Sequence, residues 1–170
     1  MKTLDLGCGN VKIPGAVGLD LSAETQADVV HDLDRTPWPL PAEEFDFVNC
    51  QDVIEHVHDV IRTMEEIHRV TKPGGRVRIR VPHFSSVQAF TDITHKHFFS
   101  TDSLEYFTDS TLYPHYSSAR FEITRRELVH WKPYRWIGIS ALANRFRLRY
   151  EKMFAFMFPA QYIEFELRRL

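Results

Sequence analysis

The sequence predicts an α/β fold built on a doubly wound, mostly parallel β-sheet. Short apolar runs suited to buried strands recur along the first half of the chain, and a glycine turn follows the first of them. A stretch of helical spacing lies between the fourth and fifth runs. Strands that alternate with crossovers in this way pair in parallel, because each crossover returns the chain to the same edge of the sheet.

The first three predicted strands are short, and each ends on or beside an acidic residue. They run from Lys2 to Leu6, from Ala16 to Leu21 and from Ala27 to Leu33. Gly7 and Gly9 follow the first strand directly, which indicates a tight turn that brings backbone amides close to a ligand. The acids at the three strand ends are Asp5, Asp20 and Asp32.

The middle of the chain predicts an extended loop, a strand, a helix and a further strand. Alternate prolines over residues 36–41 disfavour a helix, and Phe45 to Cys50 fits a buried strand. Residues 58–71 place apolar side chains on one stripe, as an amphipathic helix does. Pro73-Gly74-Gly75 is expected to stop that helix before a fifth strand from Arg76 to Val81.

The second half begins with a His- and Phe-rich stretch that extends to Ser100. A short helix is expected to open at Thr101 or Asp102, and alternating strands fit Arg120 to Val129 and Gln161 to Leu167. Between these strands, residues 141–158 have helical spacing, with a broad apolar face beside several arginines. That face is open to three interpretations: a crossover helix packed on the sheet, a homodimer interface, or a surface that meets a lipid-linked acceptor.

The composition is that of an ordinary globular protein. The chain has 170 residues, 44% hydrophobic and 26% charged, and is predicted to form a single domain over residues 1–170. No apolar run approaches the ~20 residues that cross a bilayer, and no signal peptide is visible at the start, so we expect a cytoplasmic protein. Cys8 and Cys50 are expected to remain free thiols.

The net charge of −2 hides an asymmetry along the chain. Residues 1–60 contain three Lys or Arg against twelve Asp or Glu, whereas residues 120–170 contain eleven against five. An acidic first segment suits a cationic ligand, and a basic last segment suits an anionic partner. The alternative is that charge drifts along a surface without a ligand to select it.

The glycine turn and two of the strand-end acids together suggest a nucleoside pocket. A carboxylate at Asp20 can accept both hydroxyls of a ribose, and Asp32 lies within reach of an adenine amino group. Binding of NAD is disfavoured, because a dinucleotide fingerprint needs a third glycine that opens a helix. Asn10 and Val11 stand in that region, and Pro14 follows soon after.

These residues resemble the class I S-adenosylmethionine-dependent methyltransferases, specifically the small proteins with a type 11 methyltransferase domain. The resemblance extends over residues 3–82, and its motifs are residues 4–9, 17–20, 31–33, 45–57 and 68–75. It implies a Rossmann-like sheet of seven strands with the last antiparallel, and S-adenosylmethionine as cofactor. It also implies a cofactor-binding half over residues 1–82 and an acceptor-side half over residues 83–170.

By the same resemblance, ten residues would surround the cofactor. Those expected at the methionine part are Asp5, Gly7, Cys8, Gly9, Asn10 and Gln51, and those at the nucleoside are Asp20, Leu21, Asp32 and Leu33. The chain departs from the family at Asn10 and Val11, which stand where many members have a third glycine. It also departs in length, because only eight residues, Gly7 to Pro14, precede the turn into the second strand. The first two crossovers should therefore be short or irregular.

The acceptor chemistry is predicted in the stretch after the fifth strand, because ligands of open parallel sheets bind outside the carboxyl ends of the strands. His83 lies just past that end, and Asp92 and His95 follow on a polar loop. An imidazole can accept a proton near neutral pH, and a carboxylate can orient it. Equally, these histidines could bond only loop backbone. Glu55-His56 could face the acceptor, but a region at the start of a helix is the favoured interpretation.

The predicted function is methyl transfer to a small-molecule or glycan-type acceptor, on oxygen or carbon. The alternative is an inactive module that binds the cofactor and serves as a regulatory partner. Nucleic acid is not expected as substrate, because the aromatic residues of the basic last third resemble core more than stacking platforms. No metal is expected, since His95 and His97 match no zinc pattern. Peripheral membrane contact is not favoured, and a homodimer stays open.

Overall fold

A computed structural model describes residues 1–170 and contains one seven-stranded sheet. The first part of the chain forms β1 (Thr3–Leu6), β2 (Val17–Asp20), β3 (Val29–Val30), β4 (Phe45–Gln51), α1 (Val60–Val70) and β5 (Thr71–Pro82). The second part forms α2 (Gln88–Thr91), a 3₁₀ helix (Ser103–Phe107), β6 (Phe121–His130), α3 (Lys132–Trp136), α4 (Ile139–Arg145), α5 (Arg147–Met153) and β7 (Ala160–Arg169).

The strand order confirms the predicted fold class. It is β3-β2-β1-β4-β5-β7-β6, with β1 to β5 in parallel and β7 antiparallel to both of its neighbours. From β1 the chain adds β2 and β3 on one side of the sheet, and from β4 it continues on the other side. Between β1 and β4, where the direction of strand addition reverses, an open α/β sheet forms a crevice for ligands.

The crossovers from β1 to β2 and from β2 to β3 contain no helix, as predicted. Hydrogen bonds to carboxylates, rather than the packing of a helix, stabilise these turns. Asp5 accepts a hydrogen bond from the Ile13 amide at 2.9 Å, and Asp28 accepts one from the Gly18 amide at 2.7 Å. Lys12 also reaches the Asp28 carboxylate, at 2.8 Å. The turns are thus fixed by charge-assisted hydrogen bonds to the backbone.

The two faces of the sheet differ because the strands alternate apolar and charged residues. Val77, Ile79 and Val81 of β5 point into the core, where they meet the buried face of α1 and the apolar residues of β7. The opposite face has partly exposed ion pairs, of which Arg78 with Glu164 at 2.8 Å is one. The core therefore lies on one side of the sheet.

Three predicted elements differ in the structure. β3 contains only Val29 and Val30, so Asp32 lies two residues beyond the strand. Helix α1 ends at Val70, before Pro73-Gly74-Gly75, because the Thr71 hydroxyl caps the Ile67 carbonyl and the chain turns directly into β5. The glycines instead belong to an irregularity of β5, where the pairing with β4 shifts register.

The basic segment after β6 forms three short helices rather than one crossover helix. Only Ala143 and Tyr150 of α4 and α5 are buried. Gly138 with φ 82° separates α3 from α4, and Phe146 separates α4 from α5. None of the helices combines the length and apolar composition that crossing a bilayer requires.

Candidate functional site

Two cavities lie side by side at the carboxyl ends of the parallel strands. They share two lining residues, Asp52 and His56. The cavity beside the glycine turn, which we call the turn cavity, has a volume of about 330 Å³. The other, which we call the histidine cavity, has a volume of about 520 Å³. A ligand in one cavity would thus be close to a ligand in the other.

The turn cavity begins at the glycine turn after β1. Gly7 has φ 59°, and its amide donates to the Leu19 carbonyl of β2 at 2.8 Å. The Gly9 amide donates to Asp20 Oδ2 at 2.9 Å, and the Ser22 amide donates to Asp20 Oδ1 at 3.0 Å. Asp20 therefore joins the turn to the end of β2 while its carboxylate also lines the cavity.

A buried polar chain supports the turn from beneath. Asp5 is 3% exposed, and its Oδ1 accepts a hydrogen bond from Asn49 Nδ2 of β4 at 2.7 Å. Asn49 Oδ1 in turn accepts one from Gln51 Nε2, also at 2.7 Å. Asp5 and Gln51 therefore act on the turn and on β4 rather than on the cavity wall.

The predicted cofactor residues divide into two groups. Those that line the turn cavity are Gly7, Asp20, Leu21, Asp32 and Leu33, and those that do not are Asp5, Cys8, Gly9, Asn10 and Gln51. Cys8 and Cys50 are buried free thiols, as predicted. Burial, with Asp20 and Asp5 nearby, raises the pKa of the Cys8 thiol, so this side chain stays neutral.

The wall of the turn cavity is strongly acidic. Its carboxylates are Asp20, Asp32, Asp34 and Asp52, and Lys96 is its only cation. These four are among the twelve acidic residues of residues 1–60. Such a wall attracts a cationic ligand and repels a diphosphate.

The histidine cavity combines residues from both halves of the chain. Its lining consists of Asp52, Glu55, His56, Pro82, Gln88, Thr91, Asp92, Ile93, His95 and Tyr162. Two backbone hydrogen bonds, from the Lys96 and His97 amides to the Glu55 carbonyl, bring the loop after β4 against the loop after α2. Asp92 and His95, both predicted for the acceptor side, therefore line this cavity.

Glu55 is the buried acid of the histidine cavity. It is 1% exposed, and neither of its carboxylate oxygens has a hydrogen-bond partner. Burial raises the pKa of the Glu55 carboxyl to about 7. A carboxylate that is buried without a partner is costly, and such groups cluster at functional sites.

Two histidines flank Glu55, and each has one nitrogen already engaged. His95 Nδ1 lies 3.1 Å from the Ala89 carbonyl, which can only accept, so Nδ1 bears the proton. His56 Nδ1 lies 2.8 Å from Thr94 Oγ1, whose hydroxyl donates to Asp92. Nε2 of each ring is then left to accept a proton or bind a metal. Burial and the neighbouring His95 lower the pKa of His56, which keeps it neutral.

This trio also has the spacing of a small metal site. Glu55, His56 and His95 each offer one donor atom, and these atoms lie within 4.8 Å of one another. Imidazole and carboxylate ligands suit zinc and similar divalent ions. The sequence did not predict this arrangement, because Glu55 and His95 lie on different loops.

The structure gives His83 a different place from the predicted one. It is 0% exposed and lines neither cavity. Its Nδ1 lies 2.7 Å from Ser85 Oγ, and its Nε2 lies 3.2 Å from Glu151 Oε1. Glu151 also accepts from the Thr101 amide at 2.7 Å. Although burial opposes the shift, these bonds lower the pKa of Glu151. His83 thus anchors α5 to the end of β5.

The interpretation of Glu55-His56 as the start of a helix is wrong. Helix α1 begins at Val60 with Asp59 as its N-cap, four residues beyond Glu55. Asp52 and Tyr162 were also not predicted as lining residues. A signal for Asp52 existed in its position directly after β4, at the carboxyl end of a parallel strand. Its φ in the structure is 56°. Tyr162 gave no signal, because β7 joins the site only through its pairing with β5.

Comparison with known proteins agrees with this geometry. Residues 4–79 match the family model of a methyltransferase domain. A ubiquinone biosynthesis O-methyltransferase of Azotobacter vinelandii is 32% identical over 97 residues, which cover 45% of this chain and 42% of that protein. The chain spans less than half the length of the curated relatives it matches.

Solved structures share the whole fold. An S-adenosylmethionine dependent methyltransferase from Mesorhizobium loti superimposes with a TM-score of 0.64 and 17% identity, over 99% of this chain and 90% of that one. A phosphoethanolamine N-methyltransferase from Haemonchus contortus in complex with S-adenosyl-L-methionine gives 0.58 and 16%, over 99% and 48%. The predicted resemblance to class I methyltransferases is confirmed, by fold over the chain and by sequence over residues 4–79.

Proposed function

We propose that this chain binds S-adenosylmethionine in the turn cavity and transfers its methyl group to an acceptor in the histidine cavity. The observation that carries the proposal is the contact between the two cavities through Asp52 and His56. One cavity has the acidic wall that suits a cationic nucleoside, and the other has an unpaired proton acceptor. The acceptor would be a small molecule or glycan that is methylated on oxygen or carbon.

Asp20 is proposed to hold the ribose of the cofactor. Each of its oxygens accepts one backbone amide, and a carboxylate has about four acceptor positions, so capacity remains for two hydroxyls. Asp32 and Leu33 would contact the adenine. Asp5 and Gln51 are proposed to act through the turn and β4, as positioning residues.

The protein's chemical task is to position the acceptor and remove its proton. When bound, S-adenosylmethionine supplies a methyl group already activated by the sulfonium. Glu55 would take the proton of an acceptor hydroxyl as that oxygen is methylated. His95 Nε2 lies in the same cavity as a second proton acceptor. Asp92 bonds Thr94 and, through it, orients His56 rather than His95.

Asp20→Ala should weaken binding of S-adenosylhomocysteine at least tenfold. The substitution leaves two ribose hydroxyls poorly paired, at a cost of about 1.5–3 kcal/mol per charge-assisted bond. Isothermal titration calorimetry with S-adenosylhomocysteine measures the effect. Glu24→Ala, an exposed side chain on the next turn, is the matched control and should leave affinity unchanged. Equal affinity of the Asp20 variant and the parent would refute the cofactor assignment.

The enzymatic proposal is tested by transfer of a radiolabelled methyl group to a panel of phenols, sugars and lipid extracts. Transfer to one class identifies the acceptor. Full affinity for S-adenosylhomocysteine without transfer to any of them would instead favour the inactive cofactor-binding module.

A chelator should leave this turnover unchanged, because proton removal by Glu55 and His95 needs no ion. The spacing of Glu55, His56 and His95 makes the alternative specific. Assays with EDTA, followed by addition of Zn²⁺, Mn²⁺ or Mg²⁺, distinguish the two roles. Loss of turnover that one metal restores would assign the trio to a divalent cation.

A further inference from the structure

The segment between β6 and β7 presents an apolar surface that no other part of the chain covers. Trp136 is 81% exposed and Phe156 is 76% exposed. Large apolar side chains with more than half of their surface exposed in this segment, which together we call the aromatic face, are Trp131, Trp136, Ile137, Leu142, Leu148, Met153, Phe156 and Met157. A monomeric soluble protein seldom leaves so many large apolar groups exposed within one short segment.

The charges around this face have one sign. The basic residues of the segment are Lys132, Arg135, Arg145, Arg147, Arg149 and Lys152, and none forms an ion pair with an acidic side chain. The only acid of the segment is Glu151, which turns inward to His83 and Thr101. Exposed aromatic groups beside unpaired cations characterise surfaces that lie in the headgroup region of a bilayer.

From these features we infer that the aromatic face docks on a bilayer that contains anionic phospholipid. The tryptophans and Phe156 would enter the headgroup boundary, and the arginines would meet the lipid phosphates. A second copy of the chain fits less well, because a two-fold contact would place this same cationic face against itself.

Docking through the aromatic face would also bring a lipid-held acceptor to the histidine cavity, an inference that rests on the proposed methyl transfer. A groove lined by Gln88, Phe90, Trp131 and Phe156 joins the face to the histidine cavity, since Gln88 lines both. Exposed apolar groups continue along this path: Val87 and Phe90 line the groove, Phe98 stacks on Phe90, and Ile93 lines the histidine cavity. An acceptor held at the lipid surface would therefore enter the histidine cavity without leaving the interface.

Sedimentation with sucrose-loaded vesicles tests the docking inference without any need for turnover. The full chain should pellet with vesicles of phosphatidylcholine and phosphatidylglycerol, and much less with phosphatidylcholine alone or in high salt. Trp136→Ala combined with Phe156→Ala should weaken binding about tenfold or more, because the two aromatic side chains no longer bury apolar surface in the bilayer. Arg145→Glu combined with Arg149→Glu should abolish the preference for anionic lipid.

A matched control is Leu112→Ala, which removes a side chain 84% exposed on a different loop, and it should pellet like the parent. Calorimetry with S-adenosylhomocysteine on every variant keeps the two proposals apart, because docking variants should retain cofactor affinity. Absence of binding to anionic vesicles would overturn the inference. A parent that sediments as a dimer, with a monomeric Trp136/Phe156 variant, would assign the face to self-association instead.

Discussion

Glu55→Gln should make the protein more stable at pH 8 and far less active. Burial raises the pKa of this carboxyl from 4.5 to about 7, so in the unfolded chain it ionises more readily than in the native state. Between pH 4.5 and about pH 7, the Glu55 carboxyl has lost its proton in the unfolded state but retains it in the native state. The free energy of unfolding therefore falls as pH rises through this range, by about 1.4 kcal/mol for each pKa unit of difference.

Glutamine has a similar shape and cannot ionise, so the free energy of unfolding of the variant does not fall in this way as the pH rises. The stability difference between variant and parent should be small near pH 4 and grow to about 3 kcal/mol in favour of the variant at pH 8. Turnover should fall by about 10²–10⁴-fold, because the proposed proton acceptor is gone. Affinity for S-adenosylhomocysteine should stay nearly constant.

Urea unfolding at a series of pH values measures the stability effect without knowledge of the acceptor. Glu24→Gln, at an exposed position, is the control and should give a difference that does not vary with pH. A Glu55 variant whose difference is equally flat would show that this carboxyl has the same pKa in the native and unfolded states. Burial would then not bring the pKa of Glu55 near the working pH, and the expected loss of turnover would have to be reassigned to His95.

The fold could be predicted because its signals are local. Only eight residues, Gly7 to Pro14, precede the turn into β2, which leaves no length for a helix, and the structure has a turn there. The boundary of α1 could not be predicted in the same way. Pro73-Gly74-Gly75 has the composition of a helix stop, but Thr71 pairs with Phe45 and starts β5 before those residues are reached.

The histidine cavity could be predicted only in part, because its chemistry depends on contacts between distant segments. The sequence places His83 at the end of a strand, but it cannot show that Glu151, 68 residues later, takes up its Nε2. Nor can it show that Glu55 is buried without a partner, since that depends on the loop that includes His95. Strand ends locate a site, whereas tertiary packing decides which side chains remain unpaired in it.

Gly7→Ala should destabilise the protein and weaken cofactor binding much more than Gly9→Ala. Both glycines have positive φ, of 59° and 52°, where an alanine costs roughly 1–2 kcal/mol. At Gly7 a Cβ atom would also lie 2.4 Å from Val53 Cγ2, whereas at Gly9 it would meet nothing within 4 Å. Overpacking of this kind adds about 1–3 kcal/mol. Gly7 and Val53 both line the turn cavity. If the added methyl group pushed Val53 away, the shape of this cavity would also change.

The combination of Gly7→Ala with Val53→Ala isolates the steric part of this effect. Because the second substitution removes Cγ2, the double variant should be more stable than the sum of the single effects predicts, with a coupling of about 1–3 kcal/mol. Urea unfolding gives the four free energies, and calorimetry with S-adenosylhomocysteine gives the matching affinities. Gly9→Ala with Val53→Ala should show no coupling, because Gly9 does not approach Val53. The effects of the single substitutions could instead add up without coupling in both double variants. Gly7 would then be required for its backbone conformation alone, and close packing against Val53 would not shape the turn cavity.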